Sequence, residues 1–197
     1  MAHNIEHNGQ ANIAYAGATP WHQLGQKLEN AFDAETALRE ANLDWEVKVS
    51  PLWYAVGDAP LLHADDLVKS TRGQVVQRTD TGEELGVVGM KYSPLQSREC
   101  FAFFDGLFGK GKARFETAGY TGKGERVWLL ANMQDNDPIE ILPGDEVQKY
   151  ILLMSDHTGS YSVMGSFTPI RVVCQNTLSA AVGEMMKKAS TVRIKHV

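Results

Sequence analysis

The sequence predicts an α+β fold: a meandering antiparallel sheet with helices packed on one face, preceded by an N-terminal arm. Three observations carry this reading. Short stretches of alternating apolar and polar residues recur between turn-forming Gly, Asp and Thr clusters. Three segments place apolar residues at helical spacing. The strand-helix-strand alternation of a doubly wound parallel sheet is missing. The 197 residues are long for one domain and short for two. They divide into an arm and loop, residues 1–30, and a single α+β domain, residues 31–197.

Residues 1–30 are polar and rich in Asn, Gln, Gly and Ala. Pro20 and Gly25 mark Thr19-Pro20-Trp21-His22-Gln23-Leu24-Gly25 as a loop, with Trp21 and Leu24 expected to plug it onto the core. Asp33 is the expected N-cap of a short helix, with Phe32 and Ala37 as a hydrophobic staple. Ala34, Ala37, Leu38 and Ala41 form its narrow apolar face. Leu43 to Val49 alternates strictly, as a half-buried strand does. Pro51 is expected to end that strand, and Leu52 to Val56 to begin another.

Gln74–Thr79 and Glu84–Met90 read as a hairpin across Asp80-Thr81-Gly82. Ser93 as N-cap, Pro94 at the first helical position and Gln96 closing a capping box predict a helix. Cys100, Phe101, Phe104, Leu107 and Phe108 share its apolar face, and Gly109 ends it. Two more hairpins follow, Ala113–Tyr120 with Glu125–Met133 and Val147–Met154 with Ser160–Phe167. Asp135–Pro138 and Leu142–Asp145 read as loops between them. A last helix from about Val173 to Lys188 carries Cys174, Leu178, Ala181, Val182 and Met185 as its apolar stripe.

Composition narrows the function classes. Nineteen Lys and Arg against 24 Asp and Glu give a net charge of -5. A globally basic nucleic-acid binder shows the opposite balance, so only a local basic strip is left open. Cys100 and Cys174 lack zinc-ligand spacing and read as buried thiols in a reducing compartment. No secretory pattern opens the sequence and no apolar run approaches the roughly 20 residues of a membrane span. The expected location is the cytoplasm.

Candidate chemistry meets a physical objection in each case. Leu85-Gly86-Val87-Val88-Gly89 lacks the third glycine and the helix of a dinucleotide site, and Thr121-Gly122-Lys123-Gly124 lacks the remainder of a phosphate-binding loop. Ser155, Asp156 and His157 are neighbours on one turn, where a catalytic triad does not converge. His3 and His7 have no helix around them. Asp65-Asp66 and Glu83-Glu84 point to opposite faces of any strand, and Asp135 and Asp137 read as a solvated loop. The residues thus point to no catalytic set, metal site or cofactor, and a non-enzymatic role is expected.

One cluster is more suggestive. Lys110, Lys112, Arg114, Lys123 and Arg126 gather around a hairpin in which Tyr120 and Trp128 are interleaved. Cations for phosphates and rings for bases are what a single-strand groove requires. The competing reading is a solvated hairpin whose aromatics belong to the core. Lys187, Lys188, Arg193 and Lys195 form a second basic cluster.

Several motifs occur in a fixed order: Gly17-Ala18-Thr19-Pro20-Trp21-His22-Gln23-Leu24-Gly25, then Leu85-Gly86-Val87-Val88-Gly89 with Tyr92-Ser93-Pro94-Leu95-Gln96. Phe115-Glu116-Thr117-Ala118-Gly119 with Val127-Trp128 follows. Asp156-His157-Thr158-Gly159-Ser160 and Arg171-Val172-Val173-Cys174-Gln175-Asn176-Thr177-Leu178 complete the series. This series resembles the phage/plasmid-like proteins of the DUF932 family over nearly the whole chain. Family members are generally longer, with a helical segment after the region matching Ile194-Lys195-His196. The resemblance implies a mobile-element origin, in phage, prophage or plasmid, among genes for DNA processing and antirestriction. The order of sheet and helix is also loosely similar to ring-forming single-strand annealing proteins of phages. Within the most distinctive block, Arg171, Asn176 and Thr177 mark either an anion site at a helix start or a braced junction.

The leading expectation is a non-enzymatic protein that binds and anneals single-stranded DNA in recombination, acting as a homo-oligomer. The alternative is a protein-binding module that inhibits a host defence or repair enzyme, for which an acidic surface is suited.

Overall fold

Two neighbouring strands that are apolar on both faces organise the molecule. In a computed structural model, which describes residues 3–56, 66–109, 113–133, 139–142, 145–147 and 149–196, these are β9 (Arg126–Asn132) and β12 (Tyr150–Asp156). Their alternation sends Val127, Leu129, Ala131, Ile151 and Leu153 to one core. Trp128, Leu130, Tyr150, Leu152 and Met154 go to a second core on the opposite face. A sheet covered on both sides needs such continuous apolar runs.

Seven strands make this sheet. β3 (Ile13–Ala16), β4 (Gln26–Leu28), β8 (Phe115–Thr121), β13 (Val163–Thr168) and β14 (Val192–Ile194) join the central pair in the order β14-β13-β12-β9-β8-β3-β4. All pairs are antiparallel except β3 with β4. The expected α+β antiparallel architecture is therefore what the chain forms. Two features differ from expectation. The N-terminal segment enters the sheet through the wholly buried β3, preceded by the small pair β1 (Glu6–His7) and β2 (Gln10–Ala11). Helices cover both faces of the sheet rather than one. α1 (Ala34–Glu40) and α2 (Ser97–Phe108) contribute Leu38, Phe101 and Phe104 to the first core. α3 (Gln175–Lys187) contributes Leu178, Val182 and Met185 to the second.

Local signals explain most element ends. Asp33 caps α1 by accepting from the Thr36 N–H at 2.9 Å. α2 starts at Ser97, later than Ser93 and Pro94 suggest. The Gln96 side chain is occupied elsewhere: Val47 donates to its Oε1 at 2.9 Å, and its Nε2 donates back to the Val47 carbonyl at 2.9 Å. Glu99 accepts from the Gln96 N–H at 2.8 Å and caps the helix one turn further on. Leu107 is exposed, so the apolar face of α2 is narrower than its spacing suggests. Trp21 is 63% exposed and does not plug its loop. Instead His22 anchors that loop, its Nε2 lying 3.0 Å from the Val173 carbonyl. Residues 139–147, read as partly loop, contain the short pair β10 (Ile139–Leu142) and β11 (Asp145–Val147). Asp65, Asp135 and Asp137 lie outside the described residues.

A second, three-stranded sheet packs on the first core. It holds β5 (Val47–Ala55), β6 (Leu67–Arg78) and β7 (Glu84–Gly89), in that order. Pro51 does not end β5, because β5 is an edge strand and tolerates a missing N–H. The Asp80-Thr81-Gly82 turn closes the β6–β7 hairpin as predicted, with Gly82 at φ 73. Gly86 is required for a different reason. A Cβ there would lie 2.7 Å from the Thr158 Cα, where β7 crosses the turn after β12. Gly86→Ala is expected to cost about 1–3 kcal/mol of stability by overpacking against backbone. Urea unfolding of this variant checks it, and an unchanged midpoint would mean that the 157–160 turn yields freely.

Candidate nucleic-acid interface

The basic hairpin singled out in the sequence is β8 and β9 with the turn between them. Its aromatics face inward. Tyr120 is 3% exposed and Trp128 is fully buried. Tyr120 packs edge-on against Trp45 at 5.4 Å, and its hydroxyl accepts from Arg78 at 3.3 Å. Burial raises the Tyr120 phenol above its ordinary pKa, against the pull of Arg78. Neither ring offers a face to a base.

The cations are also engaged. Arg126 Nε donates to the fully buried Asp156 at 3.0 Å, and its guanidinium sits 5.1 Å from the Tyr161 ring centre. Lys123 Nζ lies 3.9 Å from Glu83. Arg114 is exposed and helps, after the Thr36 bonds, to hold the Asp33 carboxyl below its usual range. Lys110 and Lys112 lie outside the described residues. The structure therefore brings Tyr120, Lys123 and Arg126 to one end of the hairpin without an open aromatic groove there. The sequence located both strands of this hairpin. It could not reveal that the small sheet covers the Tyr120 face.

The second candidate cluster is a clasp. Arg171 donates to Glu116 at 2.8 Å, to the Ala18 carbonyl at 2.8 Å and to the Ala16 carbonyl. It thereby ties the chain before α3 to β3 and β8. Thr177 Oγ1 accepts from the Val173 and Cys174 N–H groups at 2.9 and 3.0 Å. The Gln175 N–H is taken by the His3 carbonyl at 3.0 Å, and Asn176 is exposed. These bonds brace the junction between β3, β8 and α3. At this helix start the Val173, Cys174 and Gln175 N–H groups have protein partners.

Other polar residues have structural roles. Asp156 Oδ1 accepts from the N–H groups of Thr158 and Ser160 at 2.9 and 3.1 Å, which shapes the turn carrying His157. His7 pairs with Glu83 at 2.6 Å and His3 with Glu6 at 3.0 Å. Cys100 and Cys174 are free and buried. Burial pushes the Cys100 thiol up to about 12, so it is inert. No group of metal-ligating side chains gathers among the described residues. Among them, no helix is long and apolar enough to cross a membrane.

An accessible combination of rings and cations lies elsewhere, on β5 and β6. β7 pairs with β6 only as far as Gly73, so Leu67–Lys69 is paired with Trp53–Ala55 alone. This part of the ribbon leaves the body. Trp53 and Tyr54 are each 53% exposed, and Val56, Leu67 and Val68 are exposed beside them. Trp53 stands directly opposite Lys69, and Tyr54 opposite Val68. One face of the ribbon thus pairs a ring with an ammonium group, and the other pairs a ring with an aliphatic.

An irregularity shifts the register of the ribbon between Pro51 and Trp53. β6 contains Ser70, Thr71, Arg72 and Gly73 opposite the single residue Leu52. Ser70 Oγ fixes it by accepting from the Arg72 and Gly73 N–H groups at 3.2 and 3.1 Å. Lys48, Lys69 and Arg72 are exposed, and their side chains have no ion-pair or hydrogen-bond partner among the described residues. No acid occurs in residues 47–56 or 67–77. On a body of net charge -5, the ribbon is a cationic exception.

The sequence signal for this arm was weak, because Asp58, Asp65 and Asp66 stand between Lys48 and the pair Lys69 and Arg72. It was also masked because Leu52-Trp53-Tyr54-Ala55-Val56 reads as core.

Comparison with known families gives one result. The model of the family described as a domain of unknown function, DUF932, matches residues 84–197, more than half of the chain. The chain belongs to the DUF932 family. The match begins at β7 and runs through the sheet and α3, so the arm lies before the part of this DUF932 protein that the family model covers. No curated protein and no solved structure matches it.

Proposed function

We propose that this DUF932 protein binds single-stranded DNA without chemical turnover, through the projecting β5–β6 arm. The observation that carries this reading is exposed Trp53 opposite Lys69, with exposed Tyr54, Lys48 and Arg72 on the same two strands, none of the three cations having a side-chain partner among the described residues. Rings stack on any base, and cations follow the backbone phosphates, so such a ribbon holds a strand with little regard to sequence. The acidic body opposes wrapping by a duplex and confines contact to the arm. The setting is DNA metabolism of a mobile element in the bacterial cytoplasm, and annealing follows if copies of the chain assemble side by side.

Fluorescence anisotropy with a labelled oligo-dT tests this. Three phosphate contacts predict a slope of about -2 for log affinity against log salt. Trp53→Ala and Tyr54→Ala are each expected to weaken binding about 5- to 100-fold, from the loss of one stacked base. Lys69→Glu with Arg72→Glu is expected to abolish it at physiological salt while leaving thermal unfolding unchanged. Arg114→Glu with Lys123→Glu is expected to bind as the parent does. Loss of binding in that variant alone would return the interface to the β8–β9 hairpin. No binding at low salt would favour docking of a host protein, which the aliphatic residues Val56, Leu67 and Val68 equally suit.

A further inference from the structure

A cavity of about 410 Å³ lies where the chain leaving β7, the 159–162 turn and the residues after β14 meet. Its walls carry Lys91, Lys195, Ser160, Ser162, Tyr161 and His196, and no acid. The two ammonium groups have no ion-pair or hydrogen-bond partner among the described residues.

His196 is 9% exposed, and both of its ring nitrogens are buried without a partner. The ring stacks on Tyr92 with centroids 4.6 Å apart, which fixes its plane. The Ser93 N–H holds the His196 carbonyl at 3.0 Å. A buried polar ring without a bond is costly and uncommon. Here the ring is held rigidly at the wall of a cavity whose other polar groups are cations and hydroxyls. Such a set matches a ligand that is small, anionic and rich in acceptors.

We infer that this cavity binds a phosphate group. Lys91 and Lys195 supply charge, the Ser160, Ser162 and Tyr161 hydroxyls supply neutral donors, and His196 supplies one N–H from the inner wall. Burial holds the imidazole below its ordinary pKa, against the Ser93 contact and the Asp156 charge, so it enters as a neutral donor. The other titratable groups around it are Tyr92 and His157.

The site rests on its own residues and does not require the arm to bind DNA. It nevertheless lies beside the arm's base. Gly89 lines the cavity and pairs with Gly73, and Gln74 Nε2 donates to the Gly89 and Tyr92 carbonyls at 3.3 and 3.2 Å. The phosphate has two chemical sources, a nucleic-acid strand or a free nucleotide.

The test is NMR of the His196 ring in the full chain at constant ionic strength. The probes are inorganic phosphate, thymidine 5′-monophosphate, and oligo-dT with and without a 5′-phosphate. The expected result is a saturable shift of the His196 ring signals with inorganic phosphate. Lys91→Gln with Lys195→Gln is expected to weaken that response about tenfold or more while the fold persists. A response to either oligonucleotide assigns the phosphate to a strand. A response confined to phosphate and the mononucleotide assigns it to a free nucleotide. A His196 ring that none of the four probes moves would overturn the inference, as would a response undiminished in the folded lysine variant. Trp53→Ala with Tyr54→Ala separates the two sites: it should retain the phosphate response whether or not the arm binds DNA.

Discussion

Asp156→Ala is expected to lower the unfolding free energy by about 3 kcal/mol. The Asp156 side chain is fully buried and accepts from four groups: Arg126 Nε, the Thr158 and Ser160 N–H groups, and the Thr158 hydroxyl at 2.6 Å. Removing it leaves the partly buried Arg126 without its counter-charge and frees two turn N–H groups. The damage should spread. The turn supports Gly86 of β7, and Tyr92 donates to the Asp156 carbonyl at 3.0 Å. Asp156→Asn keeps an acceptor for the turn and loses only the charge, so it should cost less. Urea unfolding of both variants checks the order, and equal losses would show that the carboxylate charge contributes nothing beyond its acceptor.

The second large effect is a loss of stability on mild acidification, centred on His157. Burial, reinforced by His196 and opposed by Asp156, pushes its pKa down to about 4. An unfolded histidine titrates near 6.5, so between these values the unfolded chain takes up a proton that the fold refuses. The His157 contribution is therefore complete above about pH 7. It falls as pH drops from about 6.5 to about 4, by up to about 3 kcal/mol, and changes no further below that. The lowered carboxyls Asp33, Asp80 and Glu83 act in a lower window, beginning near pH 4 to 5, where their unfolded forms protonate. Unfolding measured at pH 7.5 and 4.5 should show the loss, and His157→Leu should flatten it. A parent protein equally stable at both values would contradict a buried neutral imidazole.

How far the sequence reveals this molecule depends on whether a signal is local. The Asp33 cap and the Asp80-Thr81-Gly82 turn were readable because their partners lie within a few residues. The start of α2 was not. Gln96 spends its side chain on Val47, 49 positions away, and nothing near Ser93 announces that. Pro51 misled in a related way, since only the sheet order shows that β5 is an edge. β9 was readable as a strand, but it is apolar on both faces, and which element covers each face was not readable. This is why Tyr120, placed in a groove by its spacing, is a core residue packed on Trp45. The reverse holds for Trp53 and Tyr54. Their neighbours have the composition of a core strand, and only the early end of β7 leaves them uncovered.

The most direct test of the account is to map where a strand touches the protein. Ultraviolet crosslinking of the parent chain to a bromodeoxyuridine-substituted single strand, followed by peptide mapping, would locate the contact without any substitution. Crosslinks are expected at Trp53 and Tyr54, the two exposed rings of the ribbon. Crosslinks confined to residues 110–126, or bound DNA that leaves both rings unmodified, would contradict an interface on the arm.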